Sequence, residues 1–105
     1  MKLPTKMLLG IERFLKLVPA ETRQRGRAYH AEKRVILLER AGAEESYLAI
    51  VQGGHDYKVV LDFADNVWTS VCSCPMEYDC KHAVAAMFEL QKRALADSGD
   101  RKSVV

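Results

Sequence analysis

The chain reads as an α+β fold: N-terminal helices, a small antiparallel sheet of about four strands, and a C-terminal helix beside a cysteine-rich loop. Three observations predict it. Apolar residues recur at helical spacing up to Val18, with Leu8, Ile11 and Leu15 before it. From Arg34 to Val71 the pattern changes to short apolar runs cut by Ala41-Gly42, Gly53-Gly54 and Asp65-Asn66. After residue 82 a further helical pattern begins.

The first helix is expected over residues 7–18, with Phe14 and Leu17 widening its apolar face, and Pro19 ends it. Residues 20–29 read as a second helix, entered at Pro19 and weakened by Gly26. The run Val35-Ile36-Leu37-Leu38 is a short buried strand, and Tyr47-Leu48-Ala49-Ile50-Val51 is a second. In the third, residues 57–63, Tyr57, Val59, Leu61 and Phe63 share one face and Lys58 and Asp62 the other. Asp65-Asn66 turns the chain into the fourth, residues 67–71. Four short strands with tight turns form an antiparallel meander with one face covered. In the last helix Val84, Met87, Phe88 and Leu95 mark the side turned to the sheet, and residues 97–105 form a polar, frayed tail. The division expected is an N-terminal amphipathic helix (1–19), a domain (20–96) and the tail (97–105).

All three cysteines of the 105-residue chain lie within Cys72-Ser73-Cys74-Pro75-Met76-Glu77-Tyr78-Asp79-Cys80-Lys81-His82. Two chelating pairs result, Cys-x-Cys and Cys-x-His. Thiolate and imidazole are the usual donors to Zn²⁺, and four of them fill its tetrahedron, which marks a structural rather than a catalytic site. Cys72, Cys74, Cys80 and His82 are therefore the expected ligands of one structural zinc ion. Three thiolates around Zn²⁺ leave one net negative charge, which a helix N-terminus and Lys81 would ease. The competing readings are weaker. A Cys72–Cys74 disulfide closes a very small, strained ring and strands Cys80. A Cys80/His82 nucleophile pair leaves the other two cysteines without a role.

This pattern resembles the SWIM zinc finger, whose signature is Cys-x-Cys, a variable spacer, then Cys-x-His. The likeness extends upstream to Arg25-Gly26-Arg27-Ala28-Tyr29, the strand-like runs and Trp68, and downstream to the apolar helix from Ala83 to Phe88. It covers about residues 20–92. Proteins with this motif include bacterial SWI/SNF-type helicase-like ATPases and Mutator-type transposases, so the resemblance implies work on DNA, directly or beside a motor. The motif also serves protein interaction in recombination-associated and ubiquitin-pathway proteins.

Charge bears on that choice. Net charge is only +2, yet residues 1–40 hold ten Lys/Arg against four acids and the rest hold six against ten. A basic half can face an anionic partner, or the two halves can balance one another with no partner at all. The asymmetry favours a nucleic-acid surface formed by Arg23, Arg25, Arg27, Lys33, Arg34 and Lys81, with phosphate contacts dominating. The alternative is a protein-interaction module using the exposed face of the first helix or of the zinc helix. The expected partners are thus DNA, a protein, or an attached ATPase domain.

Other chemistry is missing from the pattern. Gly53-Gly54 has no Gly-Lys-Ser/Thr after it, and no Ser/His/Asp set or carboxylate pair is recognisable, so no enzyme is expected. His30 and His55 read as surface or packing residues, Trp68, Tyr47 and Tyr57 as core aromatics before base-stacking platforms, and Glu77 and Asp79 as solvated. No apolar run approaches the ~20 residues of a membrane span. Without an export signal, and with thiols clustered for metal, a reducing cytoplasm is the expected setting.

Overall fold

A computed structural model describes residues 3–42, 45–74 and 80–98. Three helices, α1 (Thr5–Leu17), α2 (Ala20–Ala31) and α3 (Lys81–Ser98), accompany four strands, β1 (Val35–Arg40), β2 (Ser46–Gln52), β3 (Asp56–Ala64) and β4 (Val67–Cys72). The strands form one antiparallel sheet in the order β1-β2-β3-β4. This is the α+β meander expected, with α3 laid against one face of the sheet, α2 on α3, and α1 against β4 and α3.

In α1, Met7, Ile11, Phe14 and Leu15 are buried, with Leu3 before it and Val18 after it. Leu17, expected on the apolar face, points to solvent instead at 76% exposure. The stripe runs through Met7, Ile11 and Leu15, four residues apart, and Leu17 lies off that line. The Trp68 indole N–H donates to the Met7 carbonyl at 2.9 Å in the core and fixes α1 on β4. Gly10 permits this close approach, because a Cβ there would stand 2.9 Å from both the Phe63 and Trp68 rings. Trp68→Phe removes the donor and part of the packing, and is expected to destabilise by about 2 kcal/mol in urea melts.

The β3–β4 turn was legible in its chemistry. Asp65 and Asn66 have φ of 53° and 62°, so both central residues are left-handed, as a two-residue hairpin turn with the twist of its strands requires. Inner-face alternation holds along β3, where Val59, Leu61 and Phe63 are buried and Tyr57 is half-buried.

The first strand departs from expectation. Of residues 35–38 only Leu38 is buried; Ile36 and Leu37 are exposed. Leu37 pairs with Ile50 on the face opposite buried Ala49 and Val51, and the irregular register between Val35 and Leu37 leaves Ile36 out of the pairing, so neither side chain reaches the core. Leu95 is likewise a correction, 53% exposed rather than turned to the sheet. The last turns of α3 use Leu90 and Ala94 instead, the residues in phase with Met87. The helix also runs on to Ser98, into the tail expected from residue 97, while residues 99–105 lie outside the described residues.

Ala83, Val84, Ala85, Ala86 and Met87 are all fully buried, because α3 is enclosed by the sheet, α1 and α2. A polar brace crosses its outer half. Glu89 accepts from Arg93 Nε at 2.7 Å and lies 2.8 Å from His30 Nε2, and Arg93 also donates to the Leu38 carbonyl at 3.0 Å. One carboxylate thereby ties α2, α3 and β1 together. Burial would raise the Glu89 pKa, but the Arg93 and His30 bonds overcome it and hold it below the ordinary value. A carboxyl depressed on folding stabilises above its unfolded pKa and loses that contribution as pH falls. The stability gap between wild type and Glu89→Gln is therefore expected to be full at neutral pH and to narrow as pH falls into the ordinary glutamate range, read from urea midpoints.

Candidate metal centre

The ligand side chains are set by the ends of two elements. Strand period places Cys72 and Cys74 on the same side of the chain as it leaves β4. That exit stays attached to β3: the Ser73 N–H donates to the Lys58 carbonyl at 3.0 Å, and the Lys58 N–H donates to Ser73 Oγ at 3.0 Å. The turn expected at Pro75, like Glu77 and Asp79, falls outside the described residues.

Cys80 opens α3. Its carbonyl accepts from the Val84 N–H at 3.0 Å, and its sulfur accepts from the Ala83 N–H at 3.5 Å. The thiol thus occupies the capping position at the positive end of the helix, where the Ala83 N–H eases a negative charge on the sulfur once a metal deprotonates it. His82 follows within the first turn, its Nδ1 directed at the sulfurs.

The structure brings together the donor atoms of Cys72, Cys74, Cys80 and His82 within 4.8 Å of one another, and all four residues are buried. Nδ1 of His82 is 3.8 Å from Cys72 Sγ and 3.7 Å from Cys80 Sγ. Zn–S bonds of about 2.3 Å and a Zn–N bond of about 2.0–2.1 Å at a tetrahedral angle require about 3.6 Å between such donors. The cysteines are free thiols, so the disulfide alternative falls. The donor set and its spacing fit one structural zinc ion.

Protonation points the same way. Burial pushes the Cys72 thiol up to about 12 and raises the Cys80 thiol, while burial and then Lys81 lower His82. The protein alone therefore keeps Cys72, Cys80 and His82 neutral. A bound dication reverses this for the thiols, and the neutral imidazole is already the form that binds.

Sequence reasoning did not find the ring frame that holds His82. Tyr57 stacks on its imidazole with centroids 4.1 Å apart, and Tyr29 meets it edge-on at 5.5 Å. Gly53 admits the ring, since a Cβ there would come within 3.3 Å of His82 Nε2 and 2.8 Å of Tyr57 Cε2. Tyr57 carried a sequence signal, its place on the covered face of β3; Tyr29 and Gly53 carried none that pointed to the metal.

The six basic residues do not form one patch. Arg34 and Lys81 both approach Tyr29, with the Arg34 guanidinium carbon 4.9 Å and Lys81 Nζ 5.3 Å from the ring centroid. Arg34 is also bonded to Glu32 at 2.6 Å. Lys33 precedes it in left-handed backbone, φ 61°. Arg23 donates to the Leu15 carbonyl at 2.8 Å and so closes the C-terminus of α1. Arg27 lies over the Phe88 ring at 4.9 Å. Arg25 is exposed, 3.6 Å from Glu21. His30 packs on Phe88 and bonds Glu89, His55 is exposed, and Trp68 and Tyr47 are core.

No helix among the described residues is long and apolar enough to cross a membrane. Residues 57–91 match the family model of the SWIM zinc finger, from β3 into α3, inside the wider stretch that the resemblance suggested. No curated protein and no solved structure matches the chain. Residues 57–91 are thus a SWIM zinc finger, built around Cys72, Cys74, Cys80 and His82.

Proposed function

We propose that this zinc finger is a DNA-binding module whose contact surface is the basic cluster beside the metal. The observation that carries the reading is the pairing of Arg34 and Lys81 around Tyr29, whose ring abuts His82. Two cations are held at fixed positions by the same contacts that frame the zinc ligand, and Lys33 adjoins them. Phosphate recognition needs such positioned charge more than it needs any base-reading group. Arg25 extends the surface along α2. Arg23 and Arg27, engaged with α1 and Phe88, add field rather than direct contacts. The zinc rigidifies and does no chemistry, so the module binds rather than catalyses. It acts in the cytoplasm, beside an ATPase domain or as a small adaptor.

Fluorescence anisotropy of labelled single- and double-stranded DNA across a salt series tests this. Each phosphate contact on duplex DNA contributes about −0.9 to the slope of log K against log salt. Joint replacement of Lys33, Arg34 and Lys81 by Ala is expected to flatten that slope by about two to three units, while replacement of Arg25 alone removes at most about one. A slope that the triple replacement leaves unchanged would exclude the cluster.

A second reading, a protein-interaction module, is favoured by a different observation. Leu9 and Leu17 stand 59% and 76% exposed on the outer side of α1, among Arg13 and Lys16. Absence of DNA binding even at low salt would select it.

A further inference from the structure

Three exposed apolar side chains gather on the outer side of α1: Leu9, Leu17 and, where β4 begins beside the helix, Val67. Arg13 falls midway between the two leucines, four residues from each. Leu9, Arg13 and Leu17 thus form one ridge, about 12 Å long. Between this ridge and β4 lies a notch of about 230 Å³. Buried Phe14 and Trp68 form its base, exposed Arg13, Leu17 and Val67 its rim, and Gly10 adds no side chain to fill it.

The charges on this side say what the notch receives. Lys6, Arg13 and Lys16 stand exposed against one acid, Glu12. Among the described residues, none of the three cationic side chains has a hydrogen-bond or ion-pair partner. We propose that the outer side of α1 docks an acidic amphipathic helix of another protein. One apolar side chain of that helix fills the notch, a second packs along Leu9, and a carboxylate between them pairs with Arg13. Other occupants satisfy only part of this surface. DNA would meet the cations but set Leu9, Leu17 and Val67 against hydrated phosphates. An anionic lipid surface would cover the leucines, yet a planar surface does not enter a notch. Two copies joined through α1 would oppose the same excess of positive charge. The inference names the partner for the protein-interaction reading and rests on it. It uses none of Lys33, Arg34 and Lys81, so it does not depend on DNA binding.

Panning a phage-displayed library of random peptides on the zinc-loaded chain tests it. Enriched peptides are expected to carry apolar residues three and four apart with Asp or Glu among them. Synthetic copies are then titrated by fluorescence anisotropy. Leu17→Ala and Arg13→Glu, both exposed changes, are each expected to weaken binding about tenfold or more. Lysine in place of the peptide's acids is expected to abolish binding to wild type and restore it to Arg13→Glu. Zinc content and melting point, unchanged from wild type, show that each variant is folded. Enriched peptides that are neutral or basic but still need Leu17 would overturn the acidic partner and leave the protein-interaction reading standing. No enrichment, or enrichment indifferent to Leu17 and Arg13, would overturn both. Leu17-dependent binding to phosphatidylglycerol–phosphatidylcholine vesicles, Leu17-dependent self-association in sedimentation, or a DNA salt slope lowered by Arg13→Glu would assign the face to another occupant and overturn the proposal.

Discussion

Cys80→Ala is expected to release the zinc and to abolish the cooperative melt at 25 °C. Cys80 has two roles that Ala cannot fill. Its sulfur is one of four donors, and the same sulfur accepts the Ala83 N–H at the start of α3. Losing a helix cap alone costs about 1 kcal/mol. Losing the metal costs far more, since zinc binding to such sites is worth about 10–16 kcal/mol while whole domains are stable by about 5–15. The site is also where β4 is joined to α3, and α3 carries much of the core, so its loss is not confined to a loop. The measurement is zinc per chain by atomic emission alongside a thermal melt by circular dichroism. A Cys80→Ala protein that keeps one equivalent of zinc and melts cooperatively would refute the structural role. Acidification should act in the same direction, because protons compete for three thiolates.

Gly26→Ala is expected to destabilise by about 2–3 kcal/mol, against the gain of up to about 1 kcal/mol that Ala brings to a helix interior. A Cβ at this position would stand 2.3 Å from Val84 Cγ1, 2.5 Å from Val84 Cβ and 3.0 Å from the Lys81 carbonyl oxygen. Real Cβ atoms do not approach that closely, so α2 must move away from α3. The movement falls on the first turn of α3, where Cys80 and His82 are set, so zinc affinity should fall together with stability. Val84→Ala clears the nearest contact, Cγ1, and leaves the Val84 Cβ at 2.5 Å and the Lys81 carbonyl oxygen at 3.0 Å. The double variant Gly26→Ala/Val84→Ala should therefore recover part of the loss, and a double-mutant cycle in urea should return a coupling of about 1 kcal/mol or more. Additive effects would show that the helices do not meet through this pair.

Local chemistry decided much of this protein in its sequence. Asp65-Asn66 can adopt left-handed backbone at low cost, so the hairpin followed from those two residues. Alternation in residues 57–63 fixed which face of β3 is inside, because the side-chain period of a strand is two. The four metal donors were legible for the same reason: a Cys-x-Cys at a strand end and a Cys-x-His at a helix start need few other residues to converge. Periodicity went wrong where burial depends on neighbours. Leu17, Ile36 and Leu95 are apolar and exposed, because the register of β1 is irregular at Ile36 and the helices present narrower stripes to the core than apolar content suggested.

Tertiary structure alone decided the surroundings of the site and the use of the charges. Tyr29, Tyr57 and Gly53 are separated in sequence from His82 and reach it only when α2, β3 and the β2–β3 turn are assembled. Gly26 reads as a weak point in a helix, and only the presence of Val84 beneath it makes it a contact. The basic half of the chain was visible as a count, but counting does not show direction: Arg23 faces the end of α1 while Arg34 and Lys81 face Tyr29. Local rules hold because backbone conformation and side-chain period depend on a few adjacent residues. Contacts across the fold depend on which surfaces the whole chain brings together, and no single stretch of sequence carries that information.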